Sequence, residues 1–314
     1  MRPRRDPLFS AVYEGPEDLI PEEASAYLFG TFEQRSEHTA AWMERSQGVR
    51  FVQISEDDDR SHIRTDVDGF ARVALRRLDQ LRAFLSSLDV GRIYLDYTGL
   101  SHHVWAPLIK VSLKEKDHVI AVYTEPEDYR FSLTPTEGEI FDLSERIDGI
   151  APMPGFVRIG SPRSEDVVLV PLLGFEGVRF SHVLEQTQPL GANIFPIIGV
   201  PGFRAEYPFH TYVGNRVTLI QSESWRNVEY AVANCPFSLF HVLEDLHQRI
   251  AGSILQIALI GTKPHALGAI LYAIAHPETV EIIYDHPKRK VHRTSGSARC
   301  HVYFVSDFMP GMRR

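Results

Sequence analysis

The sequence predicts an α/β protein with two doubly wound, mainly parallel sheets that are related by internal duplication. Short apolar runs of strand length alternate along the chain with segments of helical periodicity. The runs are continuously apolar, which is typical of parallel strands covered by helices on both faces. The runs and the loops that follow them also occur twice in the same order. A chain of 314 residues has the length of about two domains.

Eight runs are predicted strands, four in each half. The first half has Ala26–Phe29, Arg50–Ile54, Arg92–Tyr97 and Val119–Tyr123, and the second has Val167–Leu172, Ile194–Gly199, Leu255–Ile260 and Val280–Tyr284. Helical periodicity is clearest at Gly69–Leu88 and Ser238–Ile250, and His301–Val305 is a further predicted strand near the C-terminus. Strands that alternate with helices in this way predict Rossmann-like halves.

A G-x4-R-x2-H pattern follows the first strand of each half. It supplies Arg35 with His38 in the first half and Arg179 with His182 in the second, at the same offset. An arginine at the start of a helix is a good anion ligand, because its fork of N–H groups adds to the free N–H groups of the helix. The alternative is an arginine that pairs locally beside a histidine that packs.

Proline, glycine and acidic residues cluster at Gly155–Asp166. Such a cluster is typical of a linker between domains. It predicts a first Rossmann-like half at residues 1–155 and a second at residues 156–314.

The loop after the third strand differs between the halves. In the second half it contains Gly261, Thr262, Lys263 and His265. Glycine allows close approach of the backbone, threonine offers a hydroxyl and a helix cap, and lysine brings a point charge. These residue types suit a phosphate group, although a plain helix cap with an incidental lysine is the alternative. The first-half loop supplies Asp96, Thr98, Gly99, His102 and His103 instead.

The stretch from Ile260 to Ala269 resembles the G-T-K strand–loop–helix of CRISPR-associated Rossmann fold (CARF) domains, and the segment from Asp96 to Gly99 is similar to the beginning of that motif. The duplicated organisation is similar to that of SAVED domains, which resemble two CARF units in one chain. The resemblance implies a pocket for a cyclic oligoadenylate and a role in prokaryotic antiviral defence. The first half departs from the pattern, because histidines stand where lysine is expected.

The leading hypothesis is a nucleotide- or phosphate-ligand-binding sensor or regulatory protein. It would bind an anionic small-molecule ligand between its halves through the loop residues named above, and a partner effector protein would carry the response. One alternative is a metal-independent phosphodiesterase or a nucleoside-processing hydrolase that uses His102, His103 or His265 as acid or base. Another is a non-catalytic subunit of a defence complex.

Composition excludes several other classes. No G-x-G-x-x-G motif follows a strand, and the two cysteines, Cys235 and Cys300, lie in no Cys/His cluster, so no cofactor and no metal site are expected. A net charge of −8 disfavours broad nonspecific binding to nucleic acid. The apolar runs are far shorter than a membrane span, and the N-terminus lacks the apolar core of a secretory signal. We therefore expect a cytoplasmic protein without membrane contact.

Overall fold

The computed structural model describes residues 9–57, 59–136, 139–141, 143–151, 153–158 and 166–310. The basic N-terminus and residues 159–165 of the predicted linker lie outside this part. The strands are β1 (Ser10–Tyr13), β2 (Ser25–Phe29), β3 (Val49–Glu56), β4 (His62–Thr65), β5 (Arg72–Ala74), β6 (Arg92–Asp96), β7 (His118–Thr124), β8 (Asp128–Tyr129), β9 (Phe131–Thr136), β10 (Glu139–Phe141), β11 (Ser144–Ile147), β12 (Val167–Leu172), β13 (Ile197–Gly199), β14 (Glu229–Ala231), β15 (Ile254–Leu259), β16 (Val280–Ile283), β17 (Pro287–Arg289), β18 (Thr294–Ser295) and β19 (Cys300–Phe304). The α-helices are α1 (His38–Arg45), α2 (Leu78–Ser87), α3 (His102–Glu115), α4 (Gly177–Thr187), α5 (Tyr207–Gln221), α6 (Pro236–Arg249), α7 (Lys263–Ala275) and α8 (Val305–Phe308).

The chain forms two compact units. Unit 1 consists of residues 1–128 together with 294–314, and unit 2 consists of residues 129–293. The predicted boundary near residue 155 therefore differs from the observed division. The physical reason is at the C-terminus, where β19 returns to unit 1 and pairs antiparallel with β7. The predicted strand at His301–Val305 exists, but it completes the first sheet and not the second.

Unit 1 contains an eight-stranded sheet in the order β1-β19-β7-β6-β2-β3-β4-β5. The four central strands β7, β6, β2 and β3 are parallel, and antiparallel strands close both edges. The core beneath this sheet is built on Tyr27, Phe29, Trp42, Tyr94 and Val122. Since β2 is central and its neighbours follow it on opposite sides, the loops after β2 and β6 diverge at a topological switch point.

Unit 2 contains a five-stranded sheet in the order β14-β13-β12-β15-β16, and all of its strands are parallel. When the strands of this sheet are numbered along the chain, the order is 3-2-1-4-5, the beginning of the classic doubly wound order. Its core contains Leu169, Phe180, Val183, Ile198 and Leu219. The switch point lies between the loops that follow β12 and β15.

The structure confirms an α/β fold with mainly parallel sheets, and it contains a strand at each of the eight predicted positions. The predicted helix at Gly69–Leu88 is wrong in its first half, because α2 begins only at Leu78. The preceding residues include β5, where Val73 and Leu75 are buried two residues apart. That spacing is the alternation of a strand, and the hairpin with β4 provides its partner.

Within the described residues, no helix combines the length and the apolar composition that a membrane crossing requires.

Candidate functional site

The predicted site residues lie in each unit at what we call the carboxyl edge, the edge at which the parallel strands end. Arg35 and His38 follow β2, and the segment from Asp96 to His103 follows β6. In unit 2, Arg179 and His182 lie in α4 after β12, and the segment from Gly261 to His265 follows β15. Ligands of open α/β sheets bind at this edge, beside the switch point.

In each unit, one pair of glycines brings these two loops together. A Cβ atom on Gly99 would lie 2.1 Å from the carbonyl oxygen of Gly30. In unit 2, a Cβ atom on Gly174 would lie 2.6 Å from the carbonyl oxygen of Ile260 and 3.3 Å from Cα of Gly261. Any larger residue at these positions would force the loops apart, so glycine is required by close backbone approach.

Arg35 anchors the carboxyl edge of unit 1. Its Nη1 donates hydrogen bonds to the carbonyl oxygen of Thr124 at 2.8 Å and to the hydroxyl of Tyr123 at 3.2 Å. The guanidinium carbon lies 5.2 Å from the centre of the Tyr123 ring, within the range of a cation–π contact. The buried arginine thus connects the loop after β2 to the end of β7, through neutral acceptors.

Asp96 is fully buried at the end of β6. One carboxylate oxygen accepts a hydrogen bond from the Tyr27 hydroxyl at 3.0 Å, and the other accepts from the Thr98 amide at 2.9 Å. Burial, together with the Asp96 charge, raises the pKa of Tyr27 well above its usual value. His38 Nε2 lies 3.9 Å from the same carboxylate, while His38 Nδ1 bonds the Arg35 carbonyl at 2.9 Å. The structure therefore brings His38 and Asp96 together, as part of a buried polar network.

The N-terminus of α3 meets a carboxylate from the same unit. The amide of Ser101, the N-cap residue, donates a hydrogen bond of 2.8 Å to Oε1 of Glu56. His103 Nε2 lies 3.9 Å from Oε2 of Glu56, and His102 packs with its ring centre 5.5 Å from that of Trp105. Sequence reasoning missed Glu56, which stands at the last position of β3. Its acidic side chain occupies the place where a helix N-terminus attracts an anion.

Arg299 and His301, near the C-terminus, both contact a carboxylate of unit 1. Arg299 Nε donates to Oε1 of Glu125 at 3.1 Å, and His301 Nε2 lies 3.3 Å from Oε2 of the same residue. Glu125 directly follows β7, and β19 carries His301 to the neighbouring position. The Glu125 carboxylate thus connects the end of β7 to β19.

Arg179 anchors the carboxyl edge of unit 2 through a charged partner. Its Nε and Nη2 donate to the two carboxylate oxygens of Asp285 at 2.7 and 2.6 Å. Nη2 also contacts the carbonyl oxygen of Leu259 at 3.3 Å. Burial opposes the charge on Arg179, but the Asp285 carboxylate outweighs burial and raises the guanidinium pKa. Arg179 therefore connects the loop after β12 to the end of β16, as Arg35 connects the loop after β2 to the end of β7.

The N-terminus of α7 is capped by a hydroxyl. Thr262 Oγ1 accepts a hydrogen bond from the His265 amide at 3.3 Å and donates one to the carbonyl oxygen of Ala233 at 2.9 Å. Lys263 and Pro264 are the first two residues of the helix. The first turn of α7 therefore combines a hydroxyl cap with a lysine, whereas the N-cap amide of α3 is bonded to a carboxylate.

His265 is a neutral side chain inside this turn. Burial lowers its pKa to about 4, and the carbonyl oxygens of Val232 and Ala231 offset only part of that effect. Its Nε2 lies 3.1 Å from the carbonyl oxygen of Val232. A carbonyl oxygen can only accept, so Nε2 carries the proton and Nδ1 presents a lone pair. Among the described residues, the buried Nδ1 has no hydrogen-bond partner.

His182 lies one helical turn after Arg179, and its Nε2 is also buried without a partner among the described residues. It does not share the hydrogen bonds of the Arg179–Asp285 pair. The equivalent histidine of unit 1, His38, contacts Asp96. The repeated arginines therefore occupy similar places in the two units, whereas the repeated histidines do not have similar partners.

One group of residues in the described part of the chain has the spacing of metal ligands. It consists of Asp57, Asp59 and His62. Arg64 and Arg72 bond the two oxygens of Asp57 at 2.9 and 2.8 Å, and Arg72 also bonds Asp59 at 2.8 Å. The two guanidinium groups balance the carboxylate charges, so the group is already paired as an ionic network.

No protein-family model matches the chain, and no curated protein matches it.

Proposed function

We propose that unit 2 binds a phosphate-bearing small molecule, with a nucleotide as the most specific class, at the N-terminus of α7. The observation that carries the proposal is the cationic, hydroxyl-capped first turn formed by Thr262 and Lys263 at the carboxyl edge of a doubly wound sheet. Helix N-termini attract anions through their free N–H groups and the helix dipole. The switch point of an open α/β sheet is also the usual ligand site.

His265 is fully buried, so its Nδ1 lone pair is not offered to a ligand at the surface of the unit. We prefer nucleotides to inorganic phosphate because the loop that begins α7 resembles the G-T-K loop of CARF domains.

The resemblance of the loop to CARF domains supports the narrower version of the proposal. In that version the protein is a sensor of a cyclic oligonucleotide in prokaryotic antiviral defence, and a partner effector protein gives the response. The hydrolase alternative receives less support, because a histidine with a pKa near 4 is a weak general base at neutral pH.

The test is isothermal titration calorimetry of the full chain against cyclic oligoadenylates, their linear counterparts, mononucleotides and inorganic phosphate. We expect nucleotides to bind more tightly than phosphate. Lys263→Ala should weaken binding about 10- to 100-fold, the value of a charge-assisted hydrogen bond of roughly 1.5–3 kcal/mol. The matched control is Lys288→Ala, which removes an exposed lysine of the same unit that is paired with Glu145.

Two results would remove the proposal: no binding of any of these ligands by the intact chain, or equal binding by the two lysine variants. Ligand recovered intact after long incubation favours a sensor. Turnover that His265→Ala abolishes would favour the hydrolase. If wild type and Lys263→Ala both retain a partner protein while neither binds a ligand, the result favours the non-catalytic subunit.

We also propose that the two units arose by internal duplication. The support is the central position of the first parallel strand in both sheets, the glycine pair at each switch point, and the arginine that connects the first loop to the end of the last parallel strand. Superposition of the two units tests this proposal. The proposal fails if β2, β3, β6 and β7 do not superpose on β12, β13, β15 and β16 together with both glycine pairs.

A further inference from the structure

Helix α5 of unit 2 is inverted relative to an ordinary amphipathic helix. Its buried face consists largely of small and polar residues, namely Thr211, Gly214, Asn215, Thr218 and Leu219. Its opposite face exposes Phe209, Val213, Val217 and Ile220, which are 71, 46, 43 and 55% accessible. Helices of globular proteins normally bury the apolar stripe and expose the polar one. The polar inner face and the apolar outer face therefore each require a physical explanation.

The inner face is polar because α5 packs unusually closely against α4. A Cβ atom on Gly177 would lie 1.9 Å from the carbonyl oxygen of Gly214, so only glycine fits at that crossing. The hydroxyls of Ser181 and Thr218 hydrogen-bond at 2.6 Å, and Asn215 Nδ2 donates to the carbonyl oxygen of Gly174 at 2.7 Å. Small and hydrogen-bonding residues are thus required inside. This packing explains the inner face and leaves the outer one without a role in the fold.

The outer face is a continuous apolar surface. Trp225, in the turn that follows α5, is 54% accessible and extends the stripe beyond the helix. Between Phe209 and Ile220 the only charged residue is Arg216. The exposed side chains together exceed about 300 Å², the size at which an apolar patch indicates an interaction site. A standard interface buries about 800 Å² per partner, so this stripe would form the apolar centre of such an interface.

The same face carries a groove and a projecting side chain that suit one another. The groove has a volume of about 280 Å³ and is lined by Tyr212, Val213, Arg216, Leu219, Ile220 and Trp225. Phe209, the most exposed apolar residue of the helix, stands near the other end. Eleven residues separate Phe209 from Ile220, which is about 16 Å along the axis at 1.5 Å per residue.

We propose that this face is a homodimer interface, in which α5 packs antiparallel against α5 of a second copy of the chain. Along the helix, the two-fold axis lies at the level of Gly214 and Asn215, midway between Phe209 and Ile220. Phe209 of each copy then enters the groove of the other. In an isologous interface every contact must occur twice, and a projection and a groove on opposite sides of one midpoint satisfy that condition. The low charge of the stripe keeps two identical copies from repelling each other there.

The first test is the molar mass of the full chain by light scattering over a range of concentrations. We expect a mass of twice 35.7 kDa at concentrations above a dissociation constant of about 1 µM. Phe209→Glu and Val213→Glu should return the mass to that of one chain, because each would bury an unpaired charge. Both positions are exposed in the single chain, so folding should be preserved. The matched control is Leu133→Glu, on the 89% accessible Leu133 of β9, which should remain dimeric.

The second test is tryptophan fluorescence. Trp42 and Trp105 are buried, so Trp225 alone should respond to the interface. Its emission should shift to the blue as concentration rises, and Trp225→Phe should abolish the shift. The proposal is overturned by a wild-type chain that stays at single-chain mass at every concentration, in which case the face belongs to a different partner. It is equally overturned by a Phe209→Glu variant that remains dimeric.

Discussion

The carboxyl edges of the two units have similar backbone geometry but different groups at their helix N-termini. In unit 1, the N-terminus of α3 is bonded to the carboxylate of Glu56. In unit 2, the N-terminus of α7 is capped by the hydroxyl of Thr262 and begins with Lys263. An acidic side chain at a helix N-terminus takes the position that an anionic ligand would take. The comparison teaches that similar switch points need not be equivalent sites, and it is the reason why the proposed ligand is placed in unit 2.

The anchoring arginines differ in the same manner. Arg35 donates to the Tyr123 hydroxyl and the Thr124 carbonyl oxygen, and Arg179 forms a two-pronged ion pair with the buried carboxylate of Asp285. Removing one partner of a buried ion pair leaves an uncompensated charge. We therefore expect the loss of the Asp285 carboxylate and the loss of the Tyr123 hydroxyl to lower the stability of their units by different amounts.

The largest expected effect is that of Asp285→Asn. It should lower the stability of unit 2 by about 3–5 kcal/mol, the usual result of breaking a buried ion pair. Tyr123→Phe in unit 1 should cost less, about 1.5–3 kcal/mol, because one hydrogen bond from the charged guanidinium is lost and the bond to the Thr124 carbonyl oxygen remains. Hydrogen exchange measured on peptides from β15 and β16, and separately from β6 and β7, resolves the two units.

A double variant provides the control for this comparison. Arg179→Met combined with Asp285→Leu removes both charges and should recover much of the lost stability. Equal effects of Asp285→Asn and Tyr123→Phe would mean that the two anchors are energetically alike, and the contrast between the edges would be wrong.

The next effect is a pH dependence that should come from His265. Its pKa is about 4 in the folded chain and 6.5 at its ordinary value, so the unfolded chain binds the proton first as pH falls. Stability should decrease from pH 6.5 to pH 4, by about 3 kcal/mol in all, and the loss should level off below pH 4. Above pH 6.5 the side chain is neutral in both states and contributes no slope.

The measurement is the difference in stability between wild type and His265→Gln as a function of pH, since other groups titrate in both proteins. The amide of glutamine can replace the Nε2 donor to the Val232 carbonyl oxygen without taking up a proton. The surface variant His241→Gln is the control and should follow the wild type. A constant difference between wild type and His265→Gln over the whole range would contradict a buried, neutral histidine.

Local sequence was sufficient for eight of the nine parallel strands, because a strand buried on both faces is continuously apolar. Val167–Leu172 was predicted to the residue for this reason. The ninth, β14, was missed because it is a short edge strand in which Tyr230 is exposed. Local sequence was also not sufficient to assign each strand to its sheet. The strand at Cys300–Phe304 looks like part of the second half, and only its pairing with β7 shows where it belongs. Pairing across so many residues depends on tertiary contacts that no local pattern encodes.

The candidate site was located by its repeated motifs, but the partners of its residues could not be predicted. Arg35 and Arg179 were found as a pair, yet their acceptors lie 88 and 106 residues away in the chain. Glu56 was missed because a glutamate at the end of a strand is ordinary in sequence, and it acquires meaning only when the N-terminus of α3 is placed beside it. The asymmetry between the two edges is therefore a property of the fold.

The smallest expected effect is a difference between the N-termini of α3 and α7 in how their stability depends on salt. Glu56→Gln should weaken the first turn of α3 by about 1 kcal/mol, because a charge near a helix N-terminus is replaced by a neutral amide. Thr262→Ala should weaken the first turn of α7 by a similar amount, about 1 kcal/mol, through loss of a neutral cap. Only the effect of Glu56→Gln should shrink at high salt, since salt screens the interaction of a charge with the helix dipole.

Hydrogen exchange of peptides that contain the first turns of α3 and α7, at low and high salt, measures both effects. Glu14→Gln removes an exposed glutamate of unit 1 and should change neither turn. If the Glu56→Gln effect is independent of salt, the carboxylate acts only as a hydrogen-bond acceptor and α3 is not electrostatically satisfied by its own chain. The N-terminus of α3 would then be as suitable for an anion as that of α7, and the assignment of the ligand to unit 2 alone would lose its basis.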